Sequence, residues 1–360
     1  MTKTIGILTS GGDCPGLNAV IRASVFGAVL GRGWRVVGIS HGTHGLLTRP
    51  VTAREIGPEE MATIVLREAG TILGSTSRGD PFAFPMADGS VKDRSAEVIE
   101  GLALAGIDAL IGIGGDGSLK LLRKLAQQGG IDLVAVPKTI DNDIALTEVS
   151  VGFDTAMRVA TEALDSLQPT AASHDRVMIL EVMGRDAGHI ALGSGIAGGA
   201  DVILIPEIAY KMGTVAGKVE KLRQGGRNFA LVVVAEGVRN EAGEAVTVAQ
   251  PSGRPTYGGI GAYLAHRISE TTGAETRVTV LGHLQRGAPP SPRDRLIASA
   301  FGARAVELVA EGNFDRMVAW QNREVVDVNL ADALKNYRAV DTRGSLVRTA
   351  RGLDICLGDA

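Results

Sequence analysis

Three carboxylates between residues 111 and 143 have the types and spacing for phosphate chemistry. Asp116 lies in the glycine-rich turn of residues 114–118, and Asp141 and Asp143 follow a second apolar run. A carboxylate beside a phosphate is unfavourable unless a metal ion lies between them, so Asp116 is a candidate magnesium anchor, directly or through water. One of the other two acids could accept a proton from a substrate hydroxyl, while its neighbour assists in positioning metal or substrate. These residues therefore favour phosphoryl transfer.

The elements that must position these carboxylates are two apolar strands joined by a helix. Residues 108–113 and 133–137 are predicted strands, and the helix between them carries four leucines on one side: Leu119, Leu121, Leu122 and Leu125. The carboxyl ends of parallel strands meet at one edge of a sheet, where open α/β folds bind ligands. Asp141 and Asp143 point the same way if their backbone is extended. A solvated Asx turn is the alternative, and the sheet edge shared with Asp116 favours the functional interpretation.

A second glycine turn follows the first predicted strand, residues 3–9. Residues 10–13 read Ser-Gly-Gly-Asp and precede a helix that begins near Pro15 or Gly16. The spacing begins like a P-loop, but Gly12 and Asp13 stand where Lys and Ser or Thr belong, so the sequence is not a Walker A motif. Consecutive glycines at a helix N-terminus still offer backbone N–H groups to a phosphate. A dinucleotide pattern over residues 112–117 is weak, because Asp116 would face the pyrophosphate.

The rest of the chain repeats the alternation of strand and helix. Further strands are predicted at 34–40, 177–182, 201–206, 229–237 and 276–282, and further helices at 58–68, 95–102, 154–167, 211–224 and 296–309. This alternation in both halves predicts an α/β protein of two doubly wound, Rossmann-like domains with the active site in the cleft between them. The tail from Met317 holds short strand-like pieces and a mixed-charge helix, which indicate packing, edge covering or a subunit contact.

Basic side chains flank two of the predicted strands in the second half. They are Arg176, Arg185, Arg277, His283 and Arg286. Surface arginines are ordinarily solvated, and a single histidine at a strand end is more often structural. A protein of net charge -3 that binds a phosphorylated sugar nevertheless needs such a cluster, because guanidinium groups hold phosphate oxygens in fixed geometry. Arg78 lies in a loop-like segment, where a solvated surface is an equally good interpretation.

Composition narrows the possible functions further. The 360 residues are 45% hydrophobic, enough for a full core, and this length predicts two domains. The net charge of -3 provides no footprint for nucleic acid or an anionic membrane. We find no signal-like start and no apolar run of about 18 residues, so we expect a cytoplasmic protein without membrane segments. Cys14 and Cys356 are too few for a disulfide framework or a metal cage, so we expect ordinary thiols.

Six motifs, taken in order and with their spacing, resemble the 6-phosphofructokinase family. They are GILTSGGDCPGLNAVIR, GGDGS, PKTIDND, EVMGRDAGH, AEG and ETRVTVLGHLQRG, and the resemblance covers residues 3–311. PKTIDND and GHLQRG are the most specific of them. The resemblance implies a glycolytic kinase that transfers a phosphoryl group to the 1-hydroxyl of fructose 6-phosphate and gives fructose 1,6-bisphosphate, with Mg2+.

Matching positions carry the family's residue roles onto this chain. The resemblance implies that Asp141 is the general base with Thr139 and Asp143 beside it, that Arg185 stabilises the transferring group, and that Asp116 is the magnesium-linked carboxylate. The implied donor contacts are Gly11, Arg78, Asp116, Gly117, Ser118 and Lys138. The implied sugar-phosphate contacts are Met183, Gly184, Glu236, His283 and Arg286. Arg176 and Arg277 match arginines that reach a neighbouring subunit's substrate, which implies a homo-oligomer, dimer or tetramer, with shared active sites.

Two positions bear on the phosphoryl donor. In the family, glycine at the position of Gly117 goes with ATP, because a side chain would occupy the space of the α-phosphate. Lysine at the position of Lys138 is common in pyrophosphate users and also occurs in ATP users. We predict ATP, and a pyrophosphate-dependent, reversible enzyme is the alternative. Thr43 stands where many ATP users have an aromatic, which weakens the expected adenine contact. Phe26 stands where regulated enzymes carry an effector arginine, so allosteric control is not expected.

The family also implies how the chain divides. Residues 1–150 and about 285–335 are expected to form the ATP-binding domain, and about 151–284 and about 336–360 the fructose 6-phosphate domain. NAD and lipid kinases share a GGDG turn, but they do not explain PKTIDND or GHLQRG. A catalytically silent sugar-phosphate sensor or scaffold is the other alternative, and intact Asp141, Thr139 and Arg185 disfavour it.

Overall fold

The computed structural model of the protein describes residues 2–61, 65–76, 79–248 and 256–359. The chain divides into two compact units. Unit 1 comprises Met1–Thr155 and Arg286–Tyr337, and unit 2 comprises Ala156–Gln285 and Arg338–Ala360. The chain therefore passes three times from one unit to the other.

The strands and helices alternate along most of the chain. The strands are β1 (Thr4–Ser10), β2 (Arg35–Ile39), β3 (Ala53–Glu55), β4 (Phe84–Pro85), β5 (Val91–Lys92), β6 (Ala109–Gly114), β7 (Asp132–Pro137), β8 (Val177–Val182), β9 (Val202–Leu204), β10 (Ala230–Ala235), β11 (Thr247–Val248), β12 (Thr256–Tyr257), β13 (Thr276–Val280), β14 (Arg316–Gln321) and β15 (Glu324–Asn329). The α-helices are α1 (Leu17–Arg32), α2 (Thr43–Leu46), α3 (Ser95–Leu104), α4 (Asp116–Gly129), α5 (Phe153–Ser173), α6 (His189–Ala197), α7 (Met212–Gln224), α8 (Ile260–Thr272), α9 (Leu284–Gly287), α10 (Pro292–Glu311), α11 (Leu330–Ala333) and α12 (Ser345–Gly352). Short 3-10 helices cover Val65–Arg67 and Pro81–Ala83.

Unit 1 is built on a sheet with the strand order β15-β14-β7-β6-β1-β2-β3. The inner strands are parallel, and β15 and β3 pair antiparallel at the two edges. Every residue of β1 and β6 is buried, as expected for a parallel sheet with both faces covered. Leu8, Leu110 and Leu133 pack in one apolar cluster with Leu122 and Leu125 of α4. The helix therefore docks its leucine face on the strands that precede and follow it.

Unit 2 is built on a smaller parallel sheet with the order β13-β8-β10-β9. Both β8 and β10 are buried along their whole length. The buried carboxylate of Glu181 accepts backbone N–H groups of Gly259 at 3.2 Å and Gly261 at 2.8 Å, at the start of α8. This contact satisfies helix N–H groups that have no partner inside the helix and complements the positive end of the helix dipole.

The predicted fold class is confirmed, since both units are α/β with parallel sheets. No helix in the described parts of the chain is long and apolar enough to cross a membrane. Four helices are longer than predicted: α3 continues to Leu104, α4 begins at Asp116, α5 continues to Ser173, and α10 begins at Pro292 with Ser291 as its N-cap. The pieces predicted in the tail become β14 and β15, which extend the unit 1 sheet beside β7.

The helix predicted at 58–68 is wrong. Residues 58–61 form a turn, Val65–Arg67 form a 3-10 helix, and the residues between them lie outside the described parts. Side chains of α1 bind the backbone of this segment. Arg22 Nε donates to the Met61 carbonyl at 3.1 Å, and Asn18 Nδ2 donates to the Glu68 carbonyl at 3.3 Å. These carbonyls find their partners in α1, so the segment needs no continuous helix of its own.

Packing of α1 against α10 depends on Gly302. A Cβ at this buried position would lie 2.4 Å from the Val20 carbonyl oxygen and 2.9 Å from the Ala23 Cβ. We expect Gly302→Ala to lower the free energy of unfolding by about 1–3 kcal/mol, because the two helices must move apart, which outweighs the helix propensity gained. Urea unfolding followed by circular dichroism measures the change.

The matched control is Gly31→Ala in α1, where an added Cβ meets no atom within 4 Å. We expect that variant to leave the free energy of unfolding unchanged or to raise it by up to about 1 kcal/mol, through the higher helix propensity of alanine. Equal midpoints for the two variants would contradict the close helix contact.

Candidate active site

Three loops of unit 1 start side by side because the strands before them are in register. Ser10 at the end of β1 pairs with Gly114 at the end of β6, and Gly114 pairs with Pro137 at the end of β7. The loops that follow contain Gly11, the turn around Asp116, and the run of residues 138–143. The sheet register thus assembles the predicted donor loop, metal carboxylate and base at one edge.

The run after β7 is buried and is not extended. Asp141 and Asp143 are 3% and 5% exposed, and Asn142 between them has φ +55°. The Thr139 hydroxyl accepts the Asp141 backbone N–H at 3.1 Å. The Asn142 amide oxygen accepts the Ser150 backbone N–H at 3.0 Å, which holds the turn. The expectation that an extended backbone points both acids the same way is therefore wrong, because the side chains of this loop cap a tight turn.

The Asp116 carboxylate occupies the first turn of α4. It is partly exposed and pairs with Lys120 at 2.9 Å, one helical turn away. A Cβ on Gly117 would meet no atom within 4 Å, so open space lies beside the helix N-terminus. Backbone N–H groups and the helix dipole favour an anion at this end of a helix.

The residues around Asp116 fit a magnesium ion that is bound mainly by substrate phosphates and water and only partly by the protein. Among the described residues no group of three or more His, Cys, Asp or Glu side chains could hold a metal ion alone. Magnesium commonly binds through one or two carboxylates and completes its shell with water and substrate phosphates. A single, partly exposed carboxylate beside open space is compatible with that mode of binding.

The loop after β1 brings Gly11, Ser118 and Lys138 together. Gly11 has φ +86°, and a Cβ there would lie 2.7 Å from the Ser118 Oγ and 3.5 Å from the Lys138 Nζ. Lys138 is buried, and its ammonium donates to the carbonyl oxygen of Gly12. Burial lowers the pKa of Lys138 from its usual value. The predicted donor glycine therefore lies against two predicted donor-binding side chains.

Arg286 belongs to unit 1 and contacts the same loop. Its Nη1 donates to the Asp13 carbonyl at 2.8 Å. The buried Nε makes no hydrogen bond within the described parts of the chain, so the guanidinium is incompletely satisfied. The structure thus places this predicted sugar-phosphate residue against the donor loop.

A cavity of about 350 Å³ opens next to the loop. Its lining is mainly apolar and aromatic and consists of His41, His44, Ser75, Thr76, Gly79, Phe84 and Pro85. The Ser75 hydroxyl donates to the Gly11 carbonyl at 2.6 Å, and the Gly11 N–H donates to the Thr76 carbonyl at 2.9 Å. Sequence reasoning missed these residues because it examined only Thr43, which is buried, for an aromatic contact. Arg78 lies outside the described residues.

In unit 2, the strand end after β8 joins the strand end after β10. The Glu236 carboxylate accepts the backbone N–H groups of Gly184 at 3.3 Å and Arg185 at 3.0 Å. Arg185 has φ +51° and an exposed side chain. The Met183 N–H donates to the fully buried Gln285 side chain at 2.8 Å. Gln285 was missed although it lies inside GHLQRG, because only the charged members of that motif were considered.

A separate group of predicted residues lies at the other end of β8 and β13. Arg176 pairs with Glu275 at 3.0 Å, and Arg277 pairs with the same carboxylate. The hydrogen bond from Arg176 lowers the pKa of Glu275. His283, by contrast, follows β13 at the same end as the residues after β8, and it is exposed. Unit 2 therefore holds its predicted phosphate-binding residues in two places, with Glu275 as an additional anion that sequence reasoning did not identify.

These features define an α/β protein with glycine-rich loops and charged side chains at the carboxyl edges of its parallel sheets. The chain belongs to the phosphofructokinase family, whose model, described as "Phosphofructokinase", matches residues 4–309.

Comparisons with individual proteins agree with that family. The chain is 58% identical to ATP-dependent 6-phosphofructokinase 1 of Synechocystis sp. over 357 residues, 99% of each protein. It superposes on phosphofructokinase from Saccharomyces cerevisiae with a TM-score of 0.78 and 29% identity, over 98% of this chain and 47% of the yeast chain. A pyrophosphate-dependent phosphofructokinase from Marinobacter aquaeolei has a TM-score of 0.80 at 23% identity, over 99% of this chain and 92% of that one, and shows the fold alone.

We expect the thiol of Cys14, beside the donor loop, to be unreactive. Its thiol is buried and donates to the Val151 carbonyl at 3.2 Å, and burial raises its pKa from 9.0 to about 12. Only about one thiol in ten thousand is then ionised at pH 8, and the thiolate is the reactive form. In a Cys356→Ser variant Cys14 is the single remaining cysteine, and we expect almost no reaction with Ellman's reagent until the protein is denatured. Full labelling of the native variant within minutes would contradict this placement.

Proposed function

We propose that the protein is an ATP-dependent 6-phosphofructokinase, which transfers a phosphoryl group from ATP to the 1-hydroxyl of fructose 6-phosphate in glycolysis. The observation that carries the proposal is the register of Ser10, Gly114 and Pro137, which lines up the donor loop, Asp116 and the Asp141 turn. The relative from Synechocystis, 58% identical over nearly its whole length, carries the name of this activity. Phosphoryl transfer depends on positioning and charge stabilisation, which such an edge supplies.

Asp141 is the proposed general base. Its carboxylate is nearly excluded from water, and its backbone N–H is held by Thr139, so its position is well defined. A fixed carboxylate can take the proton of the attacking sugar hydroxyl as the O–P bond forms. Asp143, two residues on, assists in positioning. Asp116 would hold Mg2+ together with the donor phosphates, and the ion would neutralise charge on the transferring group.

Arg185 and its neighbours are the proposed acceptor groups. The Glu236 carboxylate fixes the backbone of Gly184 and Arg185, which leaves the Arg185 guanidinium exposed at the strand end. A guanidinium in that place can stabilise charge on the phosphoryl group in transfer. Met183, Glu236, His283 and Arg286 are assigned to the sugar phosphate. On this assignment unit 1 is the ATP-binding domain, and unit 2 is the fructose 6-phosphate domain.

The family further supports a homo-oligomer, dimer or tetramer, in which Arg176 and Arg277 reach the substrate of a neighbouring subunit. Their shared partner Glu275 keeps both guanidinium groups at one end of β13, and the Arg277 side chain is 52% exposed. We place the enzyme in the cytoplasm, where its phosphorylated substrates occur.

ATP rather than pyrophosphate is the proposed donor. The cavity of about 350 Å³ beside Gly11 is lined by His44 and Phe84, whose ring centroids are 6.2 Å apart. Such a cavity suits a nucleoside, which pyrophosphate lacks. Open space at Gly117 leaves room for a nucleotide phosphate. Lys138 is the feature that favours the pyrophosphate alternative, and its ammonium is already engaged by the Gly12 carbonyl.

Substitution of the base tests the reaction assignment. We expect Asp141→Asn to lower kcat about 100- to 10,000-fold with little change in either KM, because the amide cannot accept the proton. The control is Asp132→Asn at the start of β7, which should keep wild-type kcat. Unchanged phosphoryl transfer by Asp141→Asn would remove the base assignment.

Substitution at Gly117 tests the donor assignment. A carboxylate in the open space beside α4 would repel the nucleotide phosphates, so we expect Gly117→Asp to reduce kcat/KM for ATP more than about 100-fold. Gly117→Ala, which adds only a Cβ, should lose much less. Assays of fructose 1,6-bisphosphate formation use ATP and pyrophosphate side by side. Activity of the wild-type protein with pyrophosphate alone would overturn the ATP assignment.

A further inference from the structure

Three successive carbonyl groups of the loop after β1 are each bound by a side chain from a different part of unit 1. The Gly11 carbonyl accepts the Ser75 hydroxyl at 2.6 Å, the Gly12 carbonyl accepts the Lys138 ammonium, and the Asp13 carbonyl accepts Nη1 of Arg286 at 2.8 Å. These three donors come from the edge of the cavity, from the end of β7 and from α9. Carbonyl groups of surface turns commonly bind water, whereas three consecutive carbonyl groups of this loop accept hydrogen bonds from side chains.

Fixing these carbonyls also fixes the N–H groups of the loop. In a planar trans peptide the N–H of the next residue points opposite to the carbonyl. The three side chains therefore set the directions of the N–H groups of Gly12, Asp13 and Cys14, each away from its bound carbonyl. Successive N–H groups in a turn can form an anion-binding concavity, and they bind best when no reorganisation is needed.

Gly12 is what allows the Arg286 guanidinium to approach the loop. A Cβ at Gly12 would lie 2.5 Å from the Arg286 Nη1, whereas one at Gly11 would lie at an ordinary 3.5 Å from the Lys138 Nζ. Lys138 is only 3% exposed, so its ammonium contacts the backbone from inside the unit. A buried ammonium is costly unless it is hydrogen-bonded, and the Gly12 carbonyl meets that need. The nearby charged groups are Asp13, Asp141 and Arg286.

We propose that Ser75, Lys138 and Arg286 form a carbonyl clamp that holds the loop of residues 11–13 ready for the donor phosphates. Lys138 is a positioning residue in this clamp and acts through the Gly12 carbonyl, not as a direct ligand of the donor. The inference rests on the proposed function only in that the loop binds the phosphates of ATP. It also explains how a lysine at this position is compatible with an ATP-dependent enzyme, because the lysine serves the loop.

The test uses Lys138→Met, which keeps most of the stem and removes the ammonium, together with Ser75→Ala and the double variant. Hydrogen–deuterium exchange of the peptide covering residues 8–17 is measured in the protein without nucleotide. We expect faster exchange in both single variants, because the loop loses a hydrogen bond before any donor binds. The control is Lys124→Met on α4, whose ammonium lies 3.6 Å from the Phe82 ring centroid, and its exchange should equal wild type.

Kinetics supply the second measurement. We expect Lys138→Met to raise KM for ATP about 10- to 100-fold, as for loss of a hydrogen bond from a charged donor, with KM for fructose 6-phosphate changed less than about threefold. The losses in kcat/KM of the single variants should not multiply in the double variant, because both act on one loop.

Two results would overturn the clamp. One is wild-type exchange of the loop in both single variants, and the other is a double variant whose loss equals the product of the single losses, as independent ligands would give. If Lys138→Met does not fold, the exchange and KM of Ser75→Ala decide by the same criteria. The exchange result is independent of catalysis, so a wild-type protein inactive with ATP would refute the proposed function without touching the clamp.

Discussion

The parallel register of β1, β6 and β7 is the constraint on which the rest of unit 1 depends. Backbone hydrogen bonds hold the three strands so that Ser10, Gly114 and Pro137 are neighbours across the sheet. A register shift of one residue would exchange the side chains that pack against the two covered faces of the sheet, so the packing on both faces enforces the alignment. Every loop that follows inherits its starting point from this register. The loop after β1 lies more than a hundred residues before the other two loops in the chain, and the three loops, which carry the glycines and acids proposed to bind phosphate, start side by side for that reason.

Several buried or half-buried carboxylates in the described parts of the chain bind backbone N–H groups. Asp294 is fully buried and accepts the backbone N–H groups of Gly152 at 2.9 Å and Thr155 at 2.8 Å, which fixes the chain just after the base turn. Burial raises the pKa of that carboxyl. Glu181 and Glu236 hold backbone N–H groups in unit 2 in the same manner. Hydrogen bonds to ionised groups are the stronger kind, so these contacts set loop conformations that glycine-rich segments would not keep alone.

Two residues give opposite indications of the phosphoryl donor when their types alone are considered, and their contacts in the structure remove the conflict. Gly117 leaves room for a nucleotide, whereas Lys138 is the residue type that accompanies pyrophosphate. In the structure the lysine faces the backbone of the loop, and a largely apolar cavity lined by the rings of His41, His44 and Phe84 lies beside that loop. A residue type therefore does not define a donor by itself. The direction in which the ammonium points decides its role, and only the packing around it determines that direction.

The sequence alone determined the α/β fold class, the strands that carry the chemistry and the family, because apolar periodicity and glycine-rich motifs are local properties. The predicted roles of Asp116, Asp141 and Arg185 stay predictions, although the structure places the first two on adjoining loops. The helix predicted at 58–68 failed because α1 binds that backbone, and the extended backbone predicted for Asp141 to Asp143 failed because neighbouring side chains cap a turn. Gln285 lies inside the GHLQRG motif and was overlooked there, whereas His44, Phe84 and the clamp on residues 11–13 could not be found in the sequence. Their partners are far away in the chain, and such contacts exist only after the sheet has brought the loops together.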